Sequence, residues 1–302
     1  MMKIDKINGN VAFNDEVHRY WNVNDNSINY ISVTTMIERY GQPYDKEFWS
    51  SYKALEKILD SESWKIEKKS LLTTKKFDKK ILEVYNISIN EFNKVQQNIL
   101  DEWAKKNRES CERGTKIHSI MENKMYSTEN NISLKKFGIG GKFQCKKDYS
   151  DLNLEYGIYP EYLIYYDNDK LDLHVAGQID LLVKSGNDII LGDYKTNEKL
   201  DFKSFYDYNK KSSVRMKYPL TSLDDCNFNH YQMQLSTYAW MLQKINPEFN
   251  IQRLFIYHFA HDGSQALHEV NYLKDEVEKM LKHYAKEQKL IKQKAKYERI
   301  EY

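Results

Sequence analysis

The segment GQIDLLVKSGNDIILGDYKT, residues 177–196, carries the strongest structural signal in this chain of 302 residues. Its two apolar runs, IDLLV and DIIL, predict two strands, and the turn residues KSGN between them are few enough for an antiparallel hairpin. Asp180 interrupts the first run, and Asp193 and Lys195 follow the second. Because residues two apart share one face of a strand, Asp193 and Lys195 point the same way and Tyr194 points away.

Charged side chains in the middle of a predicted sheet need a physical reason, because a buried carboxylate costs free energy unless it is paired or bound to a metal. If the hairpin places Asp180 on the same face as Asp193, two carboxylates and the Lys195 ammonium converge. Carboxylate oxygens suit Mg²⁺ or Mn²⁺, and a lysine can orient a water or stabilise charge developing on a phosphate. The simpler interpretation is surface charge on a half-exposed hairpin, and the flanking apolar runs weaken it.

The first half of the chain predicts small strands followed by helices. Residues 1–31 alternate short apolar and polar pieces, which is typical of strands with Asn/Asp turns. SVTTMIERYG predicts a short helix capped at Ser32, and YDKEFWSSYKALEKILD predicts an amphipathic helix. A long helix opens with a capping box at Ser88, and a break near Gly114 is left open. Residues 127–150 are predicted as loop.

The second half predicts a sheet with helices around it. PEYLIYY, KLDLHVAGQIDLLV and DIILGDYKT have the two-residue period of strands. NHYQMQLSTYAWMLQKI predicts a helix that ends before Pro247, IQRLFIYHFA and QALHEVNYL predict two more strands, and a long helix closes the chain. The fold class is therefore α/β (α+β), with a mixed central sheet flanked by helices and a helical N-terminal region.

Composition indicates a soluble globular protein, with 41% apolar and 30% charged residues. The net charge is only +2, so a nucleic-acid surface would have to be a local patch, such as the lysine-rich residues 65–80 or 208–217. Three cysteines at scattered positions match no zinc or iron–sulfur spacing. The N-terminus lacks a signal-peptide core and no apolar stretch is long enough to span a membrane, so we expect a cytoplasmic protein without membrane contact.

Two helical patterns add candidate site residues. RGTKIHSIME places Thr115, His118 and Glu122 on one helical stripe, where His118 could complete a metal site. QLSTY places Gln234 and Tyr238 one turn apart, and a Gln amide with a Tyr ring suits a sugar–phosphate backbone or a base. The simpler interpretations are a packed or solvated histidine, a core aromatic residue and a surface amide.

These pieces occur in an order that resembles a known family. The order is Gly114-Thr115-x-x-His118-x-x-x-Glu122, Glu161, Gly177-x-x-Asp180, Asp193-Tyr194-Lys195 and Gln234-x-x-x-Tyr238. It resembles the RecB-type branch of the PD-(D/E)xK nuclease superfamily. SVTT at residues 32–35 and LDDCNFNHYQMQLSTY at 223–238 look like the phage-encoded members and the mitochondrial single-strand exonuclease group. The resemblance implies a restriction-endonuclease-like core.

The resemblance also implies roles for individual residues. His118 and Asp180 would bind a metal, Asp193 would bind or bridge metals, and the backbone carbonyl of Tyr194 would supply another ligand. Lys195 would position the attacking water. One or two Mg²⁺ or Mn²⁺ ions are implied, and no iron–sulfur cluster, because the four flanking cysteines of that subgroup are missing. Two acids are candidate partners of these ligands or candidate ligands of a second ion, Glu161 and Glu122. Four further residues are candidate DNA contacts: Gln234, Tyr238, Thr115 and Ser32.

The implied function is a metal-dependent deoxyribonuclease, an exonuclease acting on single-stranded DNA or free DNA ends. A structure-selective or sequence-specific endonuclease on the same core, and an inactive DNA-binding module, remain as alternatives. Residues 1–110 are expected to form a DNA-facing wall or arch, and residues 111–302 the nuclease core. Recombination or replication proteins are candidate partners, and a phage protein in its host's cytoplasm is the expected setting.

Overall fold

The central feature of the fold is a six-stranded mixed sheet, seen in a computed structural model that describes residues 3–127, 130–146, 154–207 and 211–298. Its strands are β4 (Ile31–Ser32), β5 (Gly157–Asn168), β6 (Leu173–Ser185), β7 (Asp188–Lys195), β10 (Asn250–Phe259) and β11 (Gln265–Glu269). The strand order is β11-β10-β7-β6-β4, and β5 also pairs with β6. The mixed α/β class predicted from the sequence is confirmed.

The hairpin of residues 177–196 forms as predicted. Strands β6 and β7 pair antiparallel from Leu181↔Gly192 to Ser185↔Asp188, and β5 pairs antiparallel with β6 along its length. Strands β7 and β10 run parallel, because the helix between them returns the chain to the same end of the sheet. The alternation of apolar residues fixes this register, since a slip by one residue would turn every side chain to the other face.

One edge of β6 is shared by two strands. Because β5 occupies one edge of β6, β4 and β7 must both pair along the other edge. Strand β4 pairs with Val175 and Ala176, and β7 pairs from Leu181 onward. The edge of β6 from residue 177 to residue 180 therefore lies between the two ladders, and this gap positions the candidate site.

Helices cover both faces of the sheet. On one face lie α1 (Val33–Glu38), α7 (Asn227–Ile245) and α8 (Lys274–Glu298), which contribute Met36, Tyr238 and Met280 to a core shared with Leu191 of β7. On the other face, the end of α5 (Ile89–Tyr126) and α6 (Asn130–Lys136) pack around Tyr194. A three-stranded meander, β1 (Lys6–Asn8), β2 (Val11–Asn14) and β3 (Arg19–Asn22), precedes the sheet, and β8 (Tyr206–Asp207) pairs with β9 (Ser212–Ser213).

The chain divides into two compact units. The first comprises the described residues of Met1–Gln42, Lys116–Tyr206 and Ser213–Tyr302. The second comprises those of Pro43–Thr115 and Asp207–Ser212 and contains α2 (Lys46–Ile58), α3 (Ser61–Thr74), α4 (Lys80–Val84) and the first part of α5. Its own core includes Phe48, Leu55, Leu71, Leu82 and Phe92. The observed division differs from the predicted boundary at residue 110, since the first forty-two residues belong to the unit that contains the sheet.

The structure settles one open point and shows that one local prediction is wrong in part. The long helix α5 continues through Gly114 without a break, because one interior glycine costs only about 1 kcal/mol in a helix of 38 residues. Part of the predicted loop at 127–150 is the helix α6. The segment has no long periodic apolar pattern in its sequence, and it is stabilised by burial of Leu134 and of Phe137, which follows the helix. Residues 128–129 and 147–150 of that prediction lie outside the described residues. Within the described ranges, no helix is long and apolar enough to cross a membrane.

Candidate metal centre

The candidate site begins with the backbone of Tyr194, at the point where β7 separates from β6. In a strand the N–H and C=O of one residue point to the same side, and here no β6 backbone remains to pair with them. The N–H of Tyr194 donates to Asp180 Oδ2 at 2.6 Å, and its carbonyl lies 2.9 Å from His118 Nε2. Site side chains thus satisfy the backbone groups that the sheet leaves unpaired.

Three side chains converge beside this carbonyl. His118 Nδ1 lies 3.6 Å from Glu161 Oε1 and 3.6 Å from Asp180 Oδ2. One ligand atom from each of the three residues falls within 4.8 Å of the others. The residues come from α5, β5 and β6, so the sheet and one helix build the cluster together.

Glu161 reaches the cluster through an unusual backbone conformation. It lies between the paired residues Pro160↔Leu181 and Tyr162↔Ile179, opposite Asp180, and its φ is +50°. The register is the same on both sides, so the ladder is interrupted only at this residue. A left-handed non-glycine residue inside a strand is strained, and such strain concentrates at functional sites.

A second set of contacts surrounds Lys195. Its Nζ lies 2.7 Å from Asp193 Oδ2, 3.2 Å from Gln234 Oε1 and 4.5 Å from the centre of the Tyr231 ring. Gln234 Nε2 in turn donates to Asp193 Oδ1 and to the Tyr238 hydroxyl, both at 3.3 Å. The amide is therefore oriented by three partners, and it fixes the relative positions of the acid and the lysine.

Gly177 allows α7 to approach the gap in the edge of β6. A Cβ at this position would lie 2.6 Å from Tyr238 Cε1 and 2.8 Å from its hydroxyl oxygen, which is closer than atoms can pack. The ring of Tyr238 thus occupies the space that a side chain at 177 would fill. This contact brings Gln234, one helical turn earlier, over the end of β7.

The carboxylates are buried and their proton affinities are perturbed. Burial raises the pKa of Asp180, with Glu161 adding to the rise and His118 opposing it. Burial likewise raises the pKa of Asp193 to about 6, against the opposing effect of Lys195. The Asp180 carboxylate raises the pKa of His118 to about 9, with a further contribution from Glu161. Without a metal, an imidazolium supplies the positive charge in this cluster.

Lys195 remains charged in this environment. Burial alone would lower its pKa, but the carboxylates of Asp193 and Asp180 outweigh burial and the net direction is upward. An ammonium that holds its proton so firmly donates hydrogen bonds, so it is suited to orienting a water or a phosphate oxygen and not to accepting a proton.

The donor set fits a divalent cation. Two carboxylates that repel each other need a positive charge between them, and the imidazole nitrogen and the Tyr194 carbonyl add neutral donors. Oxygen donors with one imidazole suit Mg²⁺ or Mn²⁺. His118, Glu161 and Asp180 would hold such an ion, and the Tyr194 carbonyl lies beside His118. Asp193, also predicted as a ligand, is paired with Lys195 and is not part of the three-residue cluster in the described chain.

Several predicted site residues occupy other positions. Glu122 is not part of the three-residue cluster in the described chain, and it hydrogen-bonds to Tyr126. The Thr115 hydroxyl donates to the Cys111 carbonyl of its own helix. The Ser32 hydroxyl caps α1 by accepting from the N–H of Thr35.

Burial conflicts with two predicted DNA contacts. Tyr238 is 3% exposed and Gln234 is 7% exposed, so neither offers a surface to a DNA strand in this structure. Their contacts indicate a positioning role for Asp193 and Lys195 instead.

Sequence reasoning missed three contributors. Tyr231 lies under Lys195, and its place one helical turn before Gln234 could have revealed it. Lys6 Nζ lies 3.8 Å from Glu161 Oε2 and donates to the Glu161 carbonyl at 3.3 Å. The left-handed backbone at Glu161 has no signal in the sequence, because glutamate seldom adopts it.

Comparison with known proteins adds little. No protein-family model matches this chain, and no curated protein matches it. A solved chain described as the crystal structure of SSO0001 shares 16% sequence identity, over 44% of this chain and 50% of that one, with a TM-score of 0.27. This chain thus aligns with half of that protein, and a similarity of this size carries no argument about activity.

Proposed function

We propose that this protein is a metal-dependent deoxyribonuclease of the PD-(D/E)xK superfamily, RecB-type branch, with a restriction-endonuclease-like core. The observation that carries the proposal is the meeting of Asp180, Asp193, Lys195, Glu161 and His118 where β6 and β7 separate. The motif order in the sequence and the geometry support it independently, since the motif predicts no distances.

The residues divide the work of phosphodiester hydrolysis. A bound Mg²⁺ or Mn²⁺ would supply Lewis acidity, which lowers the pKa of a water and offsets negative charge on a phosphate. His118, Asp180 and Glu161 would hold the ion, and Asp193 keeps Lys195 within reach of the substrate. Lys195 donates hydrogen bonds to the attacking water or to a phosphate oxygen, where charge increases in the transition state.

The buried support of Lys195 is part of this proposal. Gln234 contacts both members of the Asp193–Lys195 pair, and the Tyr238 hydroxyl orients its amide by accepting a hydrogen bond. Catalytic groups must be held to within a fraction of an ångström, so such support increases the rate without touching DNA.

A cleavage assay on two labelled substrates tests the proposal. A linear single strand and a closed single-stranded circle are incubated with Mg²⁺, Mn²⁺ or EDTA, beside the Asp193→Ala variant. Metal-dependent loss of the linear strand alone is the expected result, since an exonuclease requires an end. Cleavage of the circle would identify an endonuclease on the same core, and binding without cleavage of any single-stranded or duplex substrate would indicate a DNA-binding module.

A further inference from the structure

A stripe of lysines follows one side of α8. Five lysines at helical steps of three or four residues are all exposed, and the opposite side of the helix packs into the core. The five are Lys279, Lys282, Lys286, Lys289 and Lys292. The stripe is about 20 Å long at 1.5 Å per residue. We call it the α8 stripe.

Three cavities border the α8 stripe one after another. The first, of about 850 Å³, lies between the stripe and the loop that carries Tyr218 and Ser222. The second, of about 540 Å³, shares Lys282 and Lys286 with the first. The third, of about 690 Å³, shares Lys292 with the second. Neighbouring cavities thus share lysines of the stripe, and we call the three cavities together the α8 groove.

Most of the positive charge on the stripe is uncompensated. Among the described residues, Lys279, Lys286 and Lys289 have no carboxylate within ion-pair distance. Lys282 lies 3.6 Å from Glu278, and Lys292 pairs with Asp172. Lysines in this arrangement attract a chain of phosphates.

The two ends of the groove carry further groups suited to a nucleic-acid strand. In the first cavity, Tyr218 is 71% exposed, and its ring meets that of His283 at 75° with 5.2 Å between the centroids, so ring surface remains open to a base. The third cavity contributes a further cation, Arg39. Its guanidinium lies over the Tyr284 ring at 5.1 Å and has no carboxylate partner among the described residues.

The groove leads toward the candidate metal centre. Ser32 lines the third cavity and pairs with Ala176 of β6. Asp180 lies four residues further along the same strand, about 13 Å away at 3.3 Å per residue. The third cavity is therefore bordered by the strand that carries Asp180, and none of the candidate metal ligands lines it.

We propose that the α8 groove binds the backbone of single-stranded DNA, with Tyr218 stacking on a base and the stripe contacting phosphates. The identity of the ligand as DNA rests on the proposed function. A basic groove with an exposed aromatic ring is typical of single-strand binding, because in a duplex the base faces are hidden.

The test measures binding without cleavage. A fluorescent oligodeoxythymidine is titrated, in EDTA, with the Asp193→Asn protein and with the same protein carrying K279S, K286S and K289S. We expect the affinity to fall about tenfold or more, and the slope of log affinity against log salt to decrease by about 2, since each lost phosphate contact removes about 0.7. The matched control carries K135S, K136S and K142S, which remove the same charge from exposed positions in the same unit.

A second pair of variants tests the stacking. Tyr218→Ala should weaken oligonucleotide binding about fivefold or more, and Tyr218→Phe should bind like the parent, because stacking needs the ring and not the hydroxyl. Equal loss in both variants would overturn the stacking role.

Other outcomes separate this inference from the proposed function. If the unmodified protein cleaves DNA with Mg²⁺ but the triple variant binds like its matched control, the groove assignment fails and the nuclease proposal stands. If the triple variant loses binding while no metal supports cleavage, the nuclease proposal fails and the groove stands. An equal loss of affinity for a duplex, or a loss confined to phosphatidylserine vesicles, would overturn the assignment to single strands.

Discussion

At the scale of single residues, Lys195 is the most constrained side chain of the candidate centre. An acid, an amide and an aromatic ring hold it, and burial leaves its ammonium little water. Such a lysine contributes through its position and its charge. Substitution should therefore affect the chemical step more than the binding of DNA.

We expect Lys195→Ala to lower the cleavage rate at saturating substrate about a hundredfold or more, the usual cost of losing one preorganised donor. Its affinity for a single-stranded oligonucleotide should stay within about threefold. Single-turnover kinetics and fluorescence anisotropy measure the two quantities. Lys203→Ala, an exposed lysine in the same unit, is the control. Full cleavage by Lys195→Ala would remove the lysine from the mechanism.

His118 predicts a dependence of metal binding on pH. Its pKa is about 9 in the folded protein against 6.5 without neighbours, so its proton stabilises the metal-free fold fully below pH 6.5, and that contribution disappears as the pH rises through 9. A cation must displace this proton. We expect the Mg²⁺ affinity, measured from the shift of the unfolding midpoint, to increase up to about tenfold per pH unit between pH 7 and 8.5. His118→Gln should flatten this rise, and an equally steep rise in that variant would exclude His118 as its source.

The left-handed backbone at Glu161 predicts that glycine is more stable than alanine at this strand position, the reverse of the usual order. Glycine normally destabilises a strand relative to alanine, but it adopts a φ of +50° without strain. Glu161→Gly should therefore be more stable than Glu161→Ala by about 1 kcal/mol in chemical denaturation without metal. Both variants lack the carboxylate, so both should lose metal affinity. Greater stability of the alanine variant would show that position 161 carries no backbone strain.

At the scale of elements, the contact between β6 and α7 depends on the missing side chain at Gly177. Gly177→Ala would place a methyl group against the ring of Tyr238, and we expect a loss of about 1–3 kcal/mol in the free energy of unfolding. Cleavage should also fall, because the displaced ring supports Gln234. Adding Tyr238→Leu should restore part of the stability, so that the double variant loses less free energy of unfolding than the two single variants lose when added together. Strict additivity would contradict the contact.

The elements themselves were largely predictable, and their contacts were not. The two-residue period predicted the three strands from 157 to 195, a capping serine marked the start of α1, and Pro247 marked the end of α7. Local pattern could not show α6, whose stability comes from burying Leu134 and Phe137 against distant strands. Likewise, the common orientation of Asp193 and Lys195 follows from the period of a strand, whereas the approach of Lys6 to Glu161 depends on pairing across 155 residues.

At the scale of the whole molecule, charge is balanced in total and uneven in place. The net charge of +2 gives no long-range attraction for DNA, so any strong salt dependence must come from local groups such as the α8 stripe. We expect the cleavage rate at low substrate concentration to fall steeply between about 50 and 200 mM salt. The rate at saturating substrate should change far less. A rate at low substrate that is insensitive to salt would contradict binding through phosphates.

The gap along β6 also has a consequence for how the protein is made. Its borders are strands that begin before residue 33 and end at residue 195, and the amide that completes it is residue 234. Contacts between such distant parts of a chain form late, because the intervening segments must first be brought together. As synthesis proceeds from the N-terminus, every candidate ligand leaves the ribosome before Gln234 does. The acidic residues are therefore synthesised before Gln234, the residue that completes the site, and we expect the site to form only in the last steps of folding.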